Sequence, residues 1–181
     1  PDSIVITGDL EKACTDQELI VFAVASPFVR STAHRAEDLI QEGQKIVNVA
    51  KGIEDETLMM LREVILDEIP QADVAVLSGP SHAEEVAVGI PTTVVVGASS
   101  KETAFFIQEV FMNSRFRVYT SSDIIGIELG GSIKNVIALA AGILDGLGLG
   151  DNTKAALMTR GITEISRLGI KMGGRMETFC G

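Results

Sequence analysis

The stretch Ile124-Ile125-Gly126-Ile127-Glu128-Leu129-Gly130-Gly131-Ser132-Ile133-Lys134-Asn135-Val136 places one basic residue in a run that is otherwise mostly apolar or small. Read as a helix, it carries three glycines, each of which costs about 1 kcal/mol relative to alanine, so some other interaction must offset them. Gly130, Gly131, Ala138 and Ala141 stand at offsets −4, −3, +4 and +7 from Lys134 and so share its helical face. That face is a groove bare of side chains except the ammonium and the neighbouring Asn135 amide. The other faces carry Ile127, Ile133, Val136, Ile137 and Leu139, a pattern that predicts a helix buried on nearly all sides. An ammonium in such surroundings is unfavourable unless it meets an anion or gives up its proton. A lysine whose pKa is lowered in this way suits general acid–base catalysis. A stripe of small residues also suits plain helix packing, with the lysine reaching out at the helix edge. The local pattern leaves both roles open.

Lys51 is the second cation of interest. It follows the strand-like Asn48-Val49 and precedes Gly52, and ligands of open α/β sheets bind beyond the carboxyl ends of strands. A solvated turn lysine is the alternative. Ser78-Gly79-Pro80-Ser81-His82-Ala83 also follows a strand-like run. Gly79 permits close backbone approach to a ligand, and Ser81 is placed to cap a short helix over 83–88, whose N terminus would attract phosphate or carboxylate. His82 reads as a surface loop histidine, with proton donation as its alternative role. The run Gly146 to Lys154 resembles a phosphate loop only superficially. It lacks the Gly-Lys-Ser/Thr ending and follows a helix rather than a strand, so it reads as a helix-to-helix connection capped by Asp151 or Asn152. Cys14 and Cys180 form no Cys-x-x-Cys pair, and His34 and His82 have no partner at ligand spacing. No metal site is expected.

Alternating elements must position these residues. Short apolar runs predict strands at 19–25, 45–49, 73–77, 92–97 and 115–119. Helical spacing predicts helices from Pro27 to about Ile40, over 57–69 and over 101–112. Strand–helix–strand with short connections builds a parallel or mostly parallel sheet. From Asp123 the character changes, with one helix to Gly142 and a second from about Asn152 to Met172, stopped by Gly173-Gly174. Two helices of this length with no intervening strand predict the start of a separate, all-helical domain.

Composition narrows the class. The 181 residues are 46% hydrophobic with 4% aromatics and no Trp, so the apolar mass is aliphatic, as buried parallel strands require. A mean hydropathy of +0.30 argues against disorder. No uninterrupted apolar run approaches the roughly 18 to 20 residues of a membrane span, so no membrane partner is expected and a cytoplasmic location is. Pro1, followed closely by the strand-like Ser3-Ile4-Val5-Ile6, reads as the beginning of an internal segment of a longer chain. The net charge of −10 lies wholly within residues 1–120, and residues 146–181 carry 5 basic against 3 acidic side chains. An anionic small molecule would favour that end. No basic stripe with aromatic platforms points to nucleic acid.

Four motifs stand in one order: VAKGIE at 49–54, SGPSHAEEV at 78–86, IGIELGGSIKNVIALAAGI at 125–143 and DGLGLGDNTKAALMTRG at 145–161. Together they resemble bacterial NAD(P)-dependent glycerol-3-phosphate dehydrogenases. The resemblance implies an α/β fold: the C-terminal part of a Rossmann-like nucleotide-binding domain over 1–121, then over 122–181 the first helices of an all-α substrate domain of the 6-phosphogluconate-dehydrogenase-like type. It implies an oxidoreductase that interconverts dihydroxyacetone phosphate and sn-glycerol 3-phosphate with NAD or NADP and supplies phospholipid synthesis. Lys134 matches the catalytic proton-transfer lysine, which also contacts substrate. Lys51 matches a lysine that contacts substrate and cofactor, Gly79 and Ser81 match substrate contacts, and Ala83 matches a cofactor contact. Ala25-Ser26-Pro27 departs from the family's Val-Pro-Ser near the nicotinamide, so no role is carried over there. The glycine-rich cofactor loop and the phosphate ligands of the family have no counterpart in these residues. The segment alone is therefore expected to be inactive, and the full-length protein to be a homodimer. Another dehydrogenase of the 6-phosphogluconate-dehydrogenase-like group, or a non-catalytic dimerisation module built on the glycine-striped helix, are the alternatives.

Overall fold

The computed structural model describes residues 3–180. Its centre is a five-stranded sheet of β1 (Ile20–Phe22), β2 (Lys45–Asn48), β3 (Asp73–Ser78), β4 (Thr92–Gly97) and β5 (Phe116–Ser121), in that spatial order. All neighbours are parallel except β3 and β4, which pair antiparallel with Ser78 opposite Val95. The helices α2 (Val29–Ala36), α3 (Leu61–Glu68) and α5 (Lys101–Phe111) fill the three parallel crossovers. Between β3 and β4 stands only the five-residue α4 (Ala83–Ala87). A parallel return is usually built around a full crossover helix; with only this short helix, the chain reverses instead.

The central strands β2 and β3 bury both faces, whereas the edge strands leave Val21 and Tyr119 exposed. Ile46 and Val74 pack with Val29, Ala33, Leu61 and Ile65 on one side of the sheet. Val47, Ala75 and Leu77 pack with Val94, Ala104, Ile107 and Val118 on the other. Adjacent residues of one strand thus enter opposite cores, which the period of two requires. After α1 (Leu10–Cys14) at the start, the remaining elements are α6 (Ile124–Gly146), α7 (Gly150–Lys171) and α8 (Glu177–Cys180).

Several expected boundaries move. Ser3 to Ile6 forms no strand, and Ile4, Val5 and Ile6 are exposed, having no strand beside them to pair with among the described residues. The first strand stops at Phe22, because Ala25-Ser26-Pro27 turns the chain into a 3-10 segment before α2. Helix α3 begins at Leu61 rather than Thr57. Glu54 is drawn out to the Arg30 guanidinium (Nε to Oε1, 2.7 Å; Nη2 to Oε2, 2.8 Å), and the Thr57 hydroxyl donates to the same carboxylate. The segment is folded into a turn that an α-helix could not share. Ser81 does not cap α4: its hydroxyl points back to the Gly79 carbonyl, and His82 takes the cap position without a side-chain bond. Neither Asp151 nor Asn152 caps α7, which starts at Gly150 after Leu149, with Gly148 and Gly150 both at positive φ.

Helix α6 departs from expectation in a way that matters for function. Gly126 to Leu129 and Gly131 are buried, but Val136, Leu139 and Ile143 are more than half exposed. The N-terminal half lies on the sheet, and beyond Lys134 the helix runs past it with α7 as its main support. At 23 residues, about 35 Å, α6 is also long and apolar enough by length and composition to cross a bilayer, because the moderate residues around its charges escape a search for uninterrupted apolar runs. Its N-terminal half is occupied by contacts within the protein.

Candidate active site

The site lies at the carboxyl ends of β2 and β3. Asn48 closes β2, is buried, and exchanges two hydrogen bonds with the backbone of Ala50 (Nδ2 to the carbonyl and N–H to Oδ1, both 3.1 Å). This turn presents Lys51. Gly52 follows at φ +150°, and a Cβ there would stand 2.7 Å from Ser26 Cβ. The Gly52 N–H donates to Ser132 Oγ at 3.0 Å. The Ser132 hydroxyl lies 2.7 Å from the Glu128 carbonyl and 3.2 Å from that of Gly52, the two acceptors for its proton. The Lys51 turn is therefore tied directly to α6.

Gly131 brings α6 against β3 and Lys51. A Cβ at that position would lie 2.4 Å from Ser78 Oγ and 3.8 Å from Lys51 Cγ. Lys134 sits one turn further along and lines a small cleft of about 180 Å³ with Ser78, Gly79, Pro80, Gly130 and Gly131. Gly79 is held at φ +154°, with Thr93 O and Val94 Cα each 2.9 Å from where a Cβ would stand. Here only glycine fits against the neighbouring backbone. On the adjoining side a larger cleft of about 680 Å³ is lined by Lys51, Ser81 and Ala83, over a floor of Val49, Leu77 and Val94. The structure thus gathers Lys134 with Gly79 in one cleft and Lys51 with Ser81 and Ala83 in the next, joined through the Lys51–Gly131 approach.

The electrostatics favour an anion. Among the described residues no carboxylate lies within ion-pair distance of Lys51 or Lys134. Burial lowers the pKa of Lys51, and the charge of Lys134 lowers it further. Two uncompensated cations beside glycine backbone suit a phosphorylated or oxyanionic small molecule and a proton transfer to oxygen.

Three features escaped the sequence reading. Glu128, the only acidic side chain in the buried half of α6, is 8% exposed. It accepts the Arg62 N–H at 3.0 Å, and burial pushes its carboxyl up to about 7. Its position in an otherwise apolar and small run was the available signal. Asp123 caps α6 and gathers three donors: Gly126 N–H (3.1 Å), Arg175 N–H (2.8 Å) and the Thr178 hydroxyl. Third, His34, Glu37 and Glu68 converge, with His34 Nδ1 at 3.1 Å and 3.0 Å from the two carboxylates. The i, i+3 spacing of His34 and Glu37 hinted at this group, which corrects the expectation that His34 stands alone. It lies apart from both clefts, and the Arg30 guanidinium occupies Glu68 Oε1 at 2.6 Å.

The sequence profile described as NAD-dependent glycerol-3-phosphate dehydrogenase N-terminus matches residues 1–104, and that of the C-terminus matches residues 123–181. The glycerol-3-phosphate dehydrogenase (NAD(P)+) of Agathobacter rectalis is 60% identical over 181 residues, covering all of this chain and 54% of its own length. That of Fusobacterium nucleatum is 55% identical over 183 residues, again covering all of this chain and 55% of its own. The chain spans about half the length of the curated relatives it matches. Among solved structures, glycerol-3-phosphate dehydrogenase from Coxiella burnetii superposes with a TM-score of 0.90 at 40% identity, over 96% of this chain and 53% of that one. The Saccharomyces cerevisiae enzyme superposes with a TM-score of 0.88 at 28% identity, over 98% and 54% respectively.

Proposed function

This chain belongs to the NAD-dependent glycerol-3-phosphate dehydrogenase family, and on that premise we propose that it supplies the proton-transfer centre of an enzyme interconverting dihydroxyacetone phosphate and sn-glycerol 3-phosphate. The observation that carries the reading is the pair of lysines without counter-ions among the described residues, at the carboxyl edge of a mostly parallel sheet, one of them on a helix cleared of side chains around it. The nicotinamide of NAD or NADP, when bound, supplies or accepts the hydride. The larger cleft suits such a group, with an apolar floor, a cationic edge at Lys51 and the exposed Ala83 at its mouth.

In reduction, Lys134 delivers a proton to the oxygen of the carbonyl as it becomes an alcohol, and in oxidation it takes that proton back. Lys51 adds positive charge where negative charge develops on that oxygen, which stabilises the transition state more than the neutral ground state. Gly79 leaves backbone open to the substrate, and Ser81 offers a hydroxyl on the same loop. The cofactor's pyrophosphate and the substrate's phosphate fall to parts of the enzyme with no counterpart in these residues, so the chain by itself has no turnover. The boundary between its two parts falls between β5 and α6, at 121/122. A homodimeric state and a cytoplasmic place belong to the same reading, the latter because substrate and cofactor are charged metabolites.

Replacing Lys134 with Met in a full-length enzyme carrying this segment tests the reading. Loss of general acid–base catalysis lowers kcat by about 10²- to 10⁴-fold, with cofactor affinity retained. If Lys134 served only packing or assembly, turnover would be kept and the oligomeric state would change. That result would refute the assignment.

A further inference from the structure

Glu128 is a buried carboxyl that the proton transfer does not use. Its Oε1 accepts the N–H of Arg62 at 3.0 Å, and Arg62 is the second residue of α3. The first N–H groups of a helix have no partner within it, and a carboxylate at that end also meets the positive pole of the helix dipole. The acceptor here comes from a different helix. The Arg62 side chain is engaged elsewhere, with Nε on Val74 O and Nη2 on Ser99 Oγ, both at 2.8 Å. Glu128 therefore holds the backbone of α3 rather than a mobile side chain.

Four residues further along, on the same face of α6, Ser132 holds the backbone of Gly52. The two contacts fasten one face of α6 to both ends of a single connection, the segment that leaves β2 with Lys51 and enters α3 at Leu61. Lys134 lies on the same helix six residues from Glu128, about 9 Å along the axis. A carboxyl at this depth is an expensive way to hold two elements together. Burial raises its pKa against the pull of the Arg62 N–H and guanidinium, and Glu63 adds to the rise. The other charged groups around it are Asp123 at the start of α6 and Arg175 ahead of α8. An apolar side chain of similar volume would pack there without that desolvation.

We propose that Glu128 is a positioning residue for the proton transfer: by gripping the first turn of α3 it fixes the setting of α6 on the sheet, and with it the placement of Lys134 against Lys51. This rests on the role of Lys134 given above. The test uses Glu128→Gln, Glu128→Asp and Glu128→Leu in the full-length enzyme carrying this segment, with reduction of dihydroxyacetone phosphate as the assay. The Gln amide oxygen reaches Arg62 as the carboxylate does, so its kcat stays within about threefold of wild type. The Asp side chain is one methylene too short and Leu offers no acceptor. Both lower kcat by about 10- to 100-fold, the range for loss of an outer-shell contact or an ångström of misplacement. KM for the substrate changes little, and thermal stability does not follow the loss of turnover. An active wild type whose Asp and Leu variants keep full kcat would overturn the role of Glu128, and the Asp variant decides alone if Leu fails to fold. A wild type unable to reduce dihydroxyacetone phosphate would overturn the functional reading, and this proposal with it.

Discussion

Replacing Asp123 with Ala removes the anchor on which the start of α6 and the arrival of α8 both depend. The carboxylate is 5% exposed and accepts from the Gly126 N–H, the Arg175 N–H and the Thr178 hydroxyl. Burial alone would raise its pKa, but those donors outweigh burial and hold it below the usual carboxylate range. Alanine leaves two backbone N–H groups near the protein interior without partners, at about 1 to 3 kcal/mol each, and removes a helix N-cap, at about 1 kcal/mol. These terms overlap because Gly126 is the capped donor, so the expected loss is about 2 to 6 kcal/mol. That is a large share of the roughly 5 to 15 kcal/mol that stabilises a domain. Urea denaturation reads it directly as a lower midpoint with an unchanged slope. Thr178→Val, which removes one donor and strands no backbone group, costs about 1 kcal/mol. The pH dependence follows from the depressed pKa. The stabilisation from ionised Asp123 is complete above the unfolded-state value near 4 and is lost as pH falls through the lower folded-state value. An Asp123→Asn variant lacks that acid-dependent component. A loss under about 1 kcal/mol in the alanine variant would refute the anchor.

Two further tests concern the clefts. Gly79→Ala forces a Cβ against Thr93 O and Val94 Cα in a backbone conformation that favours glycine, for a cost of about 2 kcal/mol or more. That corresponds to a fall in Tm of about 4 to 8 °C, and a Tm within about 1 °C of wild type would show that the loop relaxes freely. The pKa of Lys51, lowered by burial and then by Lys134, rises when Lys134 is replaced by Met. An NMR titration of the Lys51 ε-carbon measures it, and an unmoved midpoint would mean that the two ammonium groups do not sense each other.

The sheet was legible because its signal is local. Ile46-Val47 and Val74-Ala75-Val76-Leu77 are short aliphatic runs, and runs of that kind bury both faces wherever crossover helices cover the sheet. The clefts were legible to the extent that strand ends are: Lys51 and Gly79 both follow a strand and both line a cleft. The connections between elements were not legible. Arg62 and Glu128 stand 66 residues apart, Asp123 and Arg175 stand 52 apart, and no spacing rule reaches across such intervals. The start of α3 was misread for the same reason. Thr57 has helical spacing with the residues after it, but Glu54 is claimed by Arg30, 24 residues upstream. Ser81 failed as a cap because cap preference supplies a candidate residue, whereas the backbone at Gly79 decides where the hydroxyl points.

The glycines of α6 had two possible explanations, a face cleared for chemistry and a face cleared for another helix. Their neighbours resolve the choice. Gly126 has no room for a Cβ beside the Asp123 carboxylate and the Thr178 methyl, and Gly131 has none beside Ser78 Oγ. Gly126 meets the N-cap carboxylate and α8, and Gly131 meets the end of β3. Where α6 meets α7 the arrangement is reversed: the glycine is Gly161 on α7, and the bulky residue is Ile137 on α6. If the stripe existed to let α7 approach, its glycines would face α7. Gly131 faces β3 and the Lys51 turn, and Gly126 and Gly130 face α8 at Thr178 and Phe179, so the helix-propensity cost of about 1 kcal/mol per glycine is offset by close docking at the edge of the clefts. Packing and chemistry are then one arrangement, because the approach that Gly131 permits is what brings Lys134 to the carboxyl end of β3. Beyond Lys134 the stripe serves neither purpose within these residues: Ala138 is exposed, and so are Val136 and Leu139 on either side. The lysine stands at the last point of α6 that the sheet supports, which is why contacts six residues away, at Glu128, can govern where its ammonium sits.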